Sequence, residues 1–188
     1  MKYWIETYSG KVFDYENITN NEVDINDIAH ALSNICRFNG HCSERYSVAE
    51  HSILVANEIR KIDKDNYDLR LKALLHDATE TYMPDVPRPL KVFWSTKMDL
   101  RLFEDNIEDH ILSQFGLKLT KEDKTIIKLY DNAMLRAERN VFFQKKILWE
   151  FPDNIPEIVP TIVGLYPHKA EREFLLEFNY LIKKYNET

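Results

Sequence analysis

The chain has 188 residues, the length of one ordinary domain. A hydrophobic content of 44% is too high for a disordered chain, and a formal net charge of −6 without a basic run excludes a duplex nucleic-acid footprint. No run of about 18 apolar residues occurs and the N-terminus lacks a signal-peptide pattern, so a membrane span is excluded and a cytoplasmic location is expected.

With only four glycines, the composition favours long helices over a turn-rich β fold. Residues 3–15 carry a hairpin signal: Tyr3-Trp4-Ile5, the turn pair Ser9-Gly10, then the alternating Val12-Phe13-Asp14-Tyr15. This reads as a small β appendage rather than part of the core. Residues 16–24 are polar and predict a loop. Asp24 or Asn26 can cap a helix whose apolar positions are Ile25, Ile28, Leu32 and Ile35, with its end expected near Phe38-Asn39-Gly40. Cys36 and Cys42 match no zinc or redox spacing and read as two reduced thiols.

Ser47 and Glu50 form a capping-box pattern before a helix running to about Lys61, with Val48, His51, Val55, Ile59 and Ile62 inward. The next helix is expected from about Tyr67 to Tyr82, broken at Met83-Pro84, with Pro87 and Pro89 keeping the following segment extended. A helix over 97–115 turns Leu100, Phe103, Ile107 and Ile111 inward, ends at Gly116 and carries a structural His110. Thr120, with Asp123 three positions on, caps a helix from about Lys121 to Leu148. Its inward stripe includes Ile127, Asp131, Met134, Glu138 and Val141. Pro152, Pro156, Pro160 and Pro167 mark an irregular connection, and a last helix from about Lys169 to Tyr185 buries Phe174, Leu175, Phe178 and Leu181. No repeat or second-domain boundary appears, so residues 1–188 read as one all-α domain with a small N-terminal hairpin.

His51, His76, Asp77 and Asp131 share inward faces of separate helices. A buried ionised group is costly unless it is paired or bound to a metal. Two imidazoles and two carboxylates suit a divalent transition ion such as Zn, Mn, Co, Fe or Ni, with Mg as an additional ion. Four such ligands leave coordination room for water or a phosphate oxygen, which is the chemistry of phosphate ester and anhydride hydrolysis. For Glu138 an ion pair with a nearby arginine is the stronger reading.

The His51…His76-Asp77…Asp131 order resembles the HD-domain metal-dependent phosphohydrolases. His76-Asp77-Ala78-Thr79-Glu80, followed by Asp85 and then Pro87-Arg88-Pro89-Leu90-Lys91, is similar to the bacterial 5′-deoxynucleotidases. It is similar also to phage and prophage enzymes, some of which hydrolyse deoxynucleoside triphosphates, dATP among them. Ile35-Cys36-Arg37-Phe38-Asn39-Gly40 and Thr7-Tyr8-Ser9-Gly10-Lys11-Val12-Phe13-Asp14 resemble the phage-type branch. The resemblance covers roughly residues 3–142. It implies an HD-type helical bundle with His51, His76, Asp77 and Asp131 as metal ligands. It implies Glu80 as the acid/base residue, and Asp85 as a second carboxylate that orients water or binds a sugar hydroxyl. Arg37 is implied to grip the phosphate, and Phe38 stands where the deoxynucleotidases carry a tryptophan that excludes a ribose 2′-hydroxyl. Lys91 either adds charge near the phosphates or is a solvated surface lysine. The implied substrate is a deoxynucleotide, as mono- or triphosphate, and relatives of this kind self-associate as dimers or larger assemblies. Two other readings are hydrolysis of a cyclic nucleotide or an alarmone, and a metal-stabilised binding module without catalysis.

Overall fold

The computed structural model describes residues 3–84, 100–143 and 149–188. The chain is mostly helical, with one two-stranded antiparallel sheet of β1 (Trp4–Glu6) and β2 (Val12–Asp14). Helices α1 (Ile25–Asn34), α2 (Val48–Ile62), α3 (Tyr67–Leu74), α4 (Leu100–Gln114), α5 (Lys121–Phe142) and α6 (Pro167–Asn186) follow. Helix α6 packs on α1, α2 and α3, while α5 lies against α2 and α3. Among the described residues no helix is long and apolar enough to cross a membrane.

Local chemistry explains several boundaries. Asp24 caps α1 by accepting from the Asn26 N–H. Thr120 and Asp123 exchange side-chain and backbone hydrogen bonds at 2.9 and 3.0 Å, so the capping box at the start of α5 is complete. At α2 only half the box forms. Ser47 accepts from the Glu50 N–H at 3.2 Å, but the Glu50 carboxylate turns away. It accepts the N–H groups of Val163, Gly164 and Leu165 at 2.9, 3.1 and 2.7 Å. One buried carboxylate thereby pins the proline-rich connection onto α2, which is why Glu50 is tolerated at 3% exposure. Gly164 sits at φ 71°, and a Cβ there would lie 2.8 Å from the Arg45 carbonyl oxygen. Gly164→Ala should therefore destabilise the protein by more than about 1 kcal/mol in urea unfolding; a smaller loss would mean that the strap is free to shift.

Five expectations from the sequence need correcting; one is the helix begun at Lys121, expected to about Leu148, which ends at Phe142 because Phe143 turns extended. Helix α1 stops at Asn34 rather than near Gly40, because Ile35 turns extended and Cys36 bridges Ser47. Arg37 then donates its N–H to Tyr46 O at 2.9 Å, and Phe38 and Asn39 adopt left-handed φ of 54° and 52°. The expected helix over 67–82 ends at Leu74. The Ala73 carbonyl, which a continuing helix would offer to the N–H of residue 77, instead accepts from the His76 ring at 2.7 Å. A 3-10 turn, Ala78–Thr81, follows. The hairpin is no appendage: Phe13 is 1% exposed and stacks on Tyr82 with centroids 4.0 Å apart, and Ser9 donates twice to Asp27 at the start of α1. Ile62 and Val141, both expected inward, are exposed at the ends of their helices.

Other expectations hold. The buried face of α6 includes Phe174, Phe178 and Leu181, while Leu175, also expected inside, is half-buried. Arg70, almost wholly buried on α3, donates to Glu177 of α6 at 3.0 Å and to the Lys64 carbonyl at 2.9 Å, which fastens the last helix to the bundle. His110 is buried with its Nε2 2.8 Å from Asn21 O, a structural contact. Both cysteines are free thiols, and burial pushes Cys42 up to about 11.

Candidate metal centre

The break in the helix after Leu74 is what builds the centre. It swings His76 and Asp77 out of helical register, so that both face His51 on α2. One atom from each of His51, His76 and Asp77 lies within 4.8 Å of the other two. Asp77 Oδ2 is 3.3 Å from His76 Nε2 and 3.7 Å from His51 Nε2. Two ligand atoms that each sit about 2.1 Å from one ion are separated by this order of distance. His51 Nε2, His76 Nε2 and Asp77 Oδ2 are all buried and have no hydrogen-bond partner among the described residues. Three converging polar atoms without a hydrogen bond among the described residues are costly to a fold, and a shared cation would satisfy them together.

The far side of each imidazole fixes its tautomer. His76 Nδ1 donates to Ala73 O at 2.7 Å, and His51 Nδ1 donates to Glu138 Oε1 at 2.5 Å. Each ring therefore presents an Nε2 lone pair inward when the residue is neutral. A carboxylate behind a histidine in this way orients the ring and raises its basicity as a ligand. Glu138 is itself fully buried on α5 and also accepts from Tyr46 OH at 2.8 Å and Arg37 Nη2 at 3.0 Å. Arg37 Nη1 stands 3.5 Å from Asp77 Oδ2, so one guanidinium bridges the carboxylate that orients a histidine and the carboxylate in the cluster. The ion pair expected for Glu138 is present, with Arg37 as its partner.

These charges shape each other. Burial alone would push the Glu138 carboxyl up, but Arg37 and then His51 override it and hold it down at about 2. Burial and Arg37 push His51 down, while Glu138 and Asp131 outweigh them and raise it to about 9. Asp131 is held well below the ordinary carboxylate range despite burial, through His51 and Lys128.

The structure brings three of the four sequence-derived ligand candidates into one cluster and places the fourth beside it. Asp131 Oδ1 is 3.3 Å from His51 Nε2, and its Oδ2 accepts from Lys128 Nζ at 2.6 Å. Glu80 is half-buried in the 3-10 turn directly after Asp77, not on a continuing helix with His76. Phe38 lies under the Arg37 guanidinium at 5.4 Å from its ring centroid and packs edge-on against Phe143. Asp85 and Lys91 fall outside the described residues. Sequence reasoning missed the Glu138–His51 bond and Tyr46. The available signal was a second carboxylate, seven positions after Asp131, on the same inward stripe of α5.

A pocket of about 190 Å³ opens on the α4–α5 side of the cluster. His76, Asp77 and Asp131 form one end, Leu112, Leu119 and Ile127 its apolar wall, and Lys72, Lys124 and Lys128 its cationic edge. The donor set of two imidazoles and carboxylate oxygens fits Zn, Mn, Co, Fe or Ni better than an all-oxygen ion such as Mg.

Fold and site thus define a helical protein with a buried His–His–Asp centre on which a second carboxylate borders. No family model matches the chain. The Escherichia coli (strain K12) protein that bears the name Uncharacterized protein YfdR is 36% identical over 180 residues, covering 95% of this chain and 95% of its own. Uncharacterized protein RCAP_rcc00048 of Rhodobacter capsulatus is 33% identical over 140 residues, 72% of this chain and 70% of its own. The chain belongs to the family of these two proteins. Their names carry no activity, so the chemistry has to be argued from the site.

Proposed function

We propose that the protein is a metal-dependent phosphohydrolase of the HD-domain type that acts on deoxynucleotides. The observation that carries this reading is the convergence of His51 Nε2, His76 Nε2 and Asp77 Oδ2, each buried and without a hydrogen-bond partner among the described residues. A divalent ion bound there would polarise a phosphoryl oxygen and acidify a water. Glu138 and the Ala73 carbonyl keep the two imidazoles in the ligand tautomer. Arg37 spreads its charge over Asp77 and Glu138. Glu80, one turn beyond Asp77, takes the proton of the attacking water and returns it to the leaving oxygen. Water oxygen adds to phosphorus as the bond from phosphorus to the 5′ oxygen of the sugar breaks. The products are a deoxynucleoside and either phosphate or triphosphate.

The test is incubation of the purified protein with Mn, Co, Zn, Fe or Ni and a nucleotide panel that sets dAMP beside dATP. Release of deoxynucleoside is expected, and Glu80→Gln should lose turnover while holding as much metal as the parent protein. No phosphate, diphosphate or triphosphate from any nucleotide with any of these ions would sink the reading.

A further inference from the structure

Tyr46 immediately precedes Ser47, the cap of α2, and its ring is fully buried against Phe142 with centroids 4.9 Å apart. Its main chain and its side chain hold the two members of one ion pair. Tyr46 O accepts the Arg37 N–H at 2.9 Å, and Tyr46 OH donates to Glu138 Oε1 at 2.8 Å. Burial, and then the Glu138 charge, push the phenol far above its ordinary range, so it stays a donor.

The two Glu138 oxygens are used differently. Oε1 accepts from His51 Nδ1 at 2.5 Å as well as from Tyr46, so both of its lone pairs are taken. Oε2 accepts from Arg37 Nη2 at 3.0 Å, while Nη1 of the same guanidinium stands 3.5 Å from Asp77 Oδ2. A buried guanidinium and carboxylate favour the two-bond, fork-to-fork pairing. Arg37 and Glu138 do not form it, because one nitrogen serves Glu138 and the other faces Asp77. To close that pairing the carboxylate would rotate Oε1 off His51 Nδ1 and toward Arg37. The Tyr46 hydroxyl opposes this rotation, since it holds the second lone pair of the same oxygen.

We propose that Tyr46 is a positioning residue of the metal centre, whose hydroxyl keeps Glu138 turned to His51 rather than closed onto Arg37. The His51 ring then presents Nε2 inward in one fixed direction. The proposal rests on the metal-dependent reading above, but its test needs no turnover. Tyr46 acts through Glu138, which itself touches the ligand, so loss of the hydroxyl should weaken metal binding less than Glu138→Gln does.

The test is titration of the metal-free full chain with Co against a competing chelator, followed by the visible absorption of the bound ion. Tyr46→Phe should bind Co about threefold to tenfold more weakly than the parent and shift the absorption band, because the His51 ring is no longer held in one orientation. Phe142→Leu loosens the packing of the same ring and leaves the hydroxyl in place. It should bind Co within about twofold of the parent, which separates the hydroxyl from general loosening. In a Glu138→Gln background, adding Tyr46→Phe should cost less than about twofold, because a neutral amide has no ion pair with Arg37 to close. Co affinity in Tyr46→Phe equal to that of the parent, an equal loss in Phe142→Leu, the same loss in the Glu138→Gln background, or no Co binding by the parent would each overturn the role. The role and the hydrolase fail separately. Weaker Co binding by Tyr46→Phe in a protein that hydrolyses no nucleotide keeps the role and removes the hydrolase. Hydrolysis of dAMP or dATP by the parent, with Tyr46→Phe binding Co as the parent does, keeps the hydrolase and removes the role.

Discussion

Glu138→Ala is expected to cost the fold about 3–5 kcal/mol, read as a lower urea midpoint at an unchanged slope. The carboxylate is fully buried and accepts from Tyr46 OH, His51 Nδ1 and Arg37 Nη2 at 2.8, 2.5 and 3.0 Å. Truncating it leaves the buried Arg37 guanidinium with Asp77 as its remaining ion-pair partner among the described residues, which is the expensive half of breaking such a pair. Glu138→Gln should be milder for stability, since the amide oxygen can still accept. It should nonetheless weaken metal binding about 10–100-fold, because the charge that orients and polarises His51 is gone. The pH dependence has a definite sign. Glu138 titrates at about 2 in the fold against an ordinary 4.5, so its contribution is present above about 4.5 and is lost as pH falls toward 2. The parent should therefore lose stability over that acid range more steeply than Glu138→Gln. An alanine variant that unfolds within about 1 kcal/mol of the parent would show that Glu138 is not a keystone of the core.

What was legible in the sequence is what local chemistry decides. The Thr120–Asp123 box, the Asp24 cap and the apolar spacing of α1, α4 and α6 are interactions between residues a few positions apart. The break after Leu74 was not legible. Nothing in the pattern Leu71, Leu74, Leu75, Ala78 says that the His76 ring will take the Ala73 carbonyl from the helix. The same bond that ends the helix also fixes the His76 tautomer, so the irregularity and the site are one event. A regular helix over 67–82 would have spared the backbone bond and lost the ligand geometry. Glu50 makes the point at longer range, since its acceptor role depends on N–H groups more than a hundred positions away.

Within the site, ligand types were more legible than their supports. His51 stands out because an imidazole on an otherwise aliphatic stripe needs a reason, and His76-Asp77 because both are polar in a greasy segment. The residues that hold them in place look ordinary in sequence. Tyr46 and Glu138 become meaningful only once α5 is laid against α2, where seven positions, or about 10 Å of helix, separate Asp131 beside His51 Nε2 from Glu138 behind its Nδ1. Histidine 51 is thus approached by carboxylates at both nitrogens, from one face of one helix.

His76→Ala should abolish the stabilisation that a divalent ion gives the parent protein. An ion at a hundred times its dissociation constant stabilises the fold by about 2.7 kcal/mol, which for a chain of this length raises Tm by about 5–10 °C. In His76→Ala one of three converging atoms is missing, and the increment should vanish. The metal-free protein supplies an internal control through pH. His51 is raised to about 9 from an ordinary 6.5, so the stabilisation by its protonated form is complete below about 6.5 and is lost as pH rises through 9. That dependence belongs to His51, Glu138 and Asp131, none of which is removed by the substitution. His76→Ala should keep the alkaline fall of Tm without metal and lose only the response to metal. In the parent, binding must displace the His51 proton, so the metal increment should grow from pH 6.5 to 9 as the metal-free protein weakens. Thermal melts of both proteins over this range, with and without Mn, separate the two effects. If His76→Ala gains as much from Mn as the parent does, the ion binds elsewhere and the His51–His76–Asp77 cluster is not the metal centre.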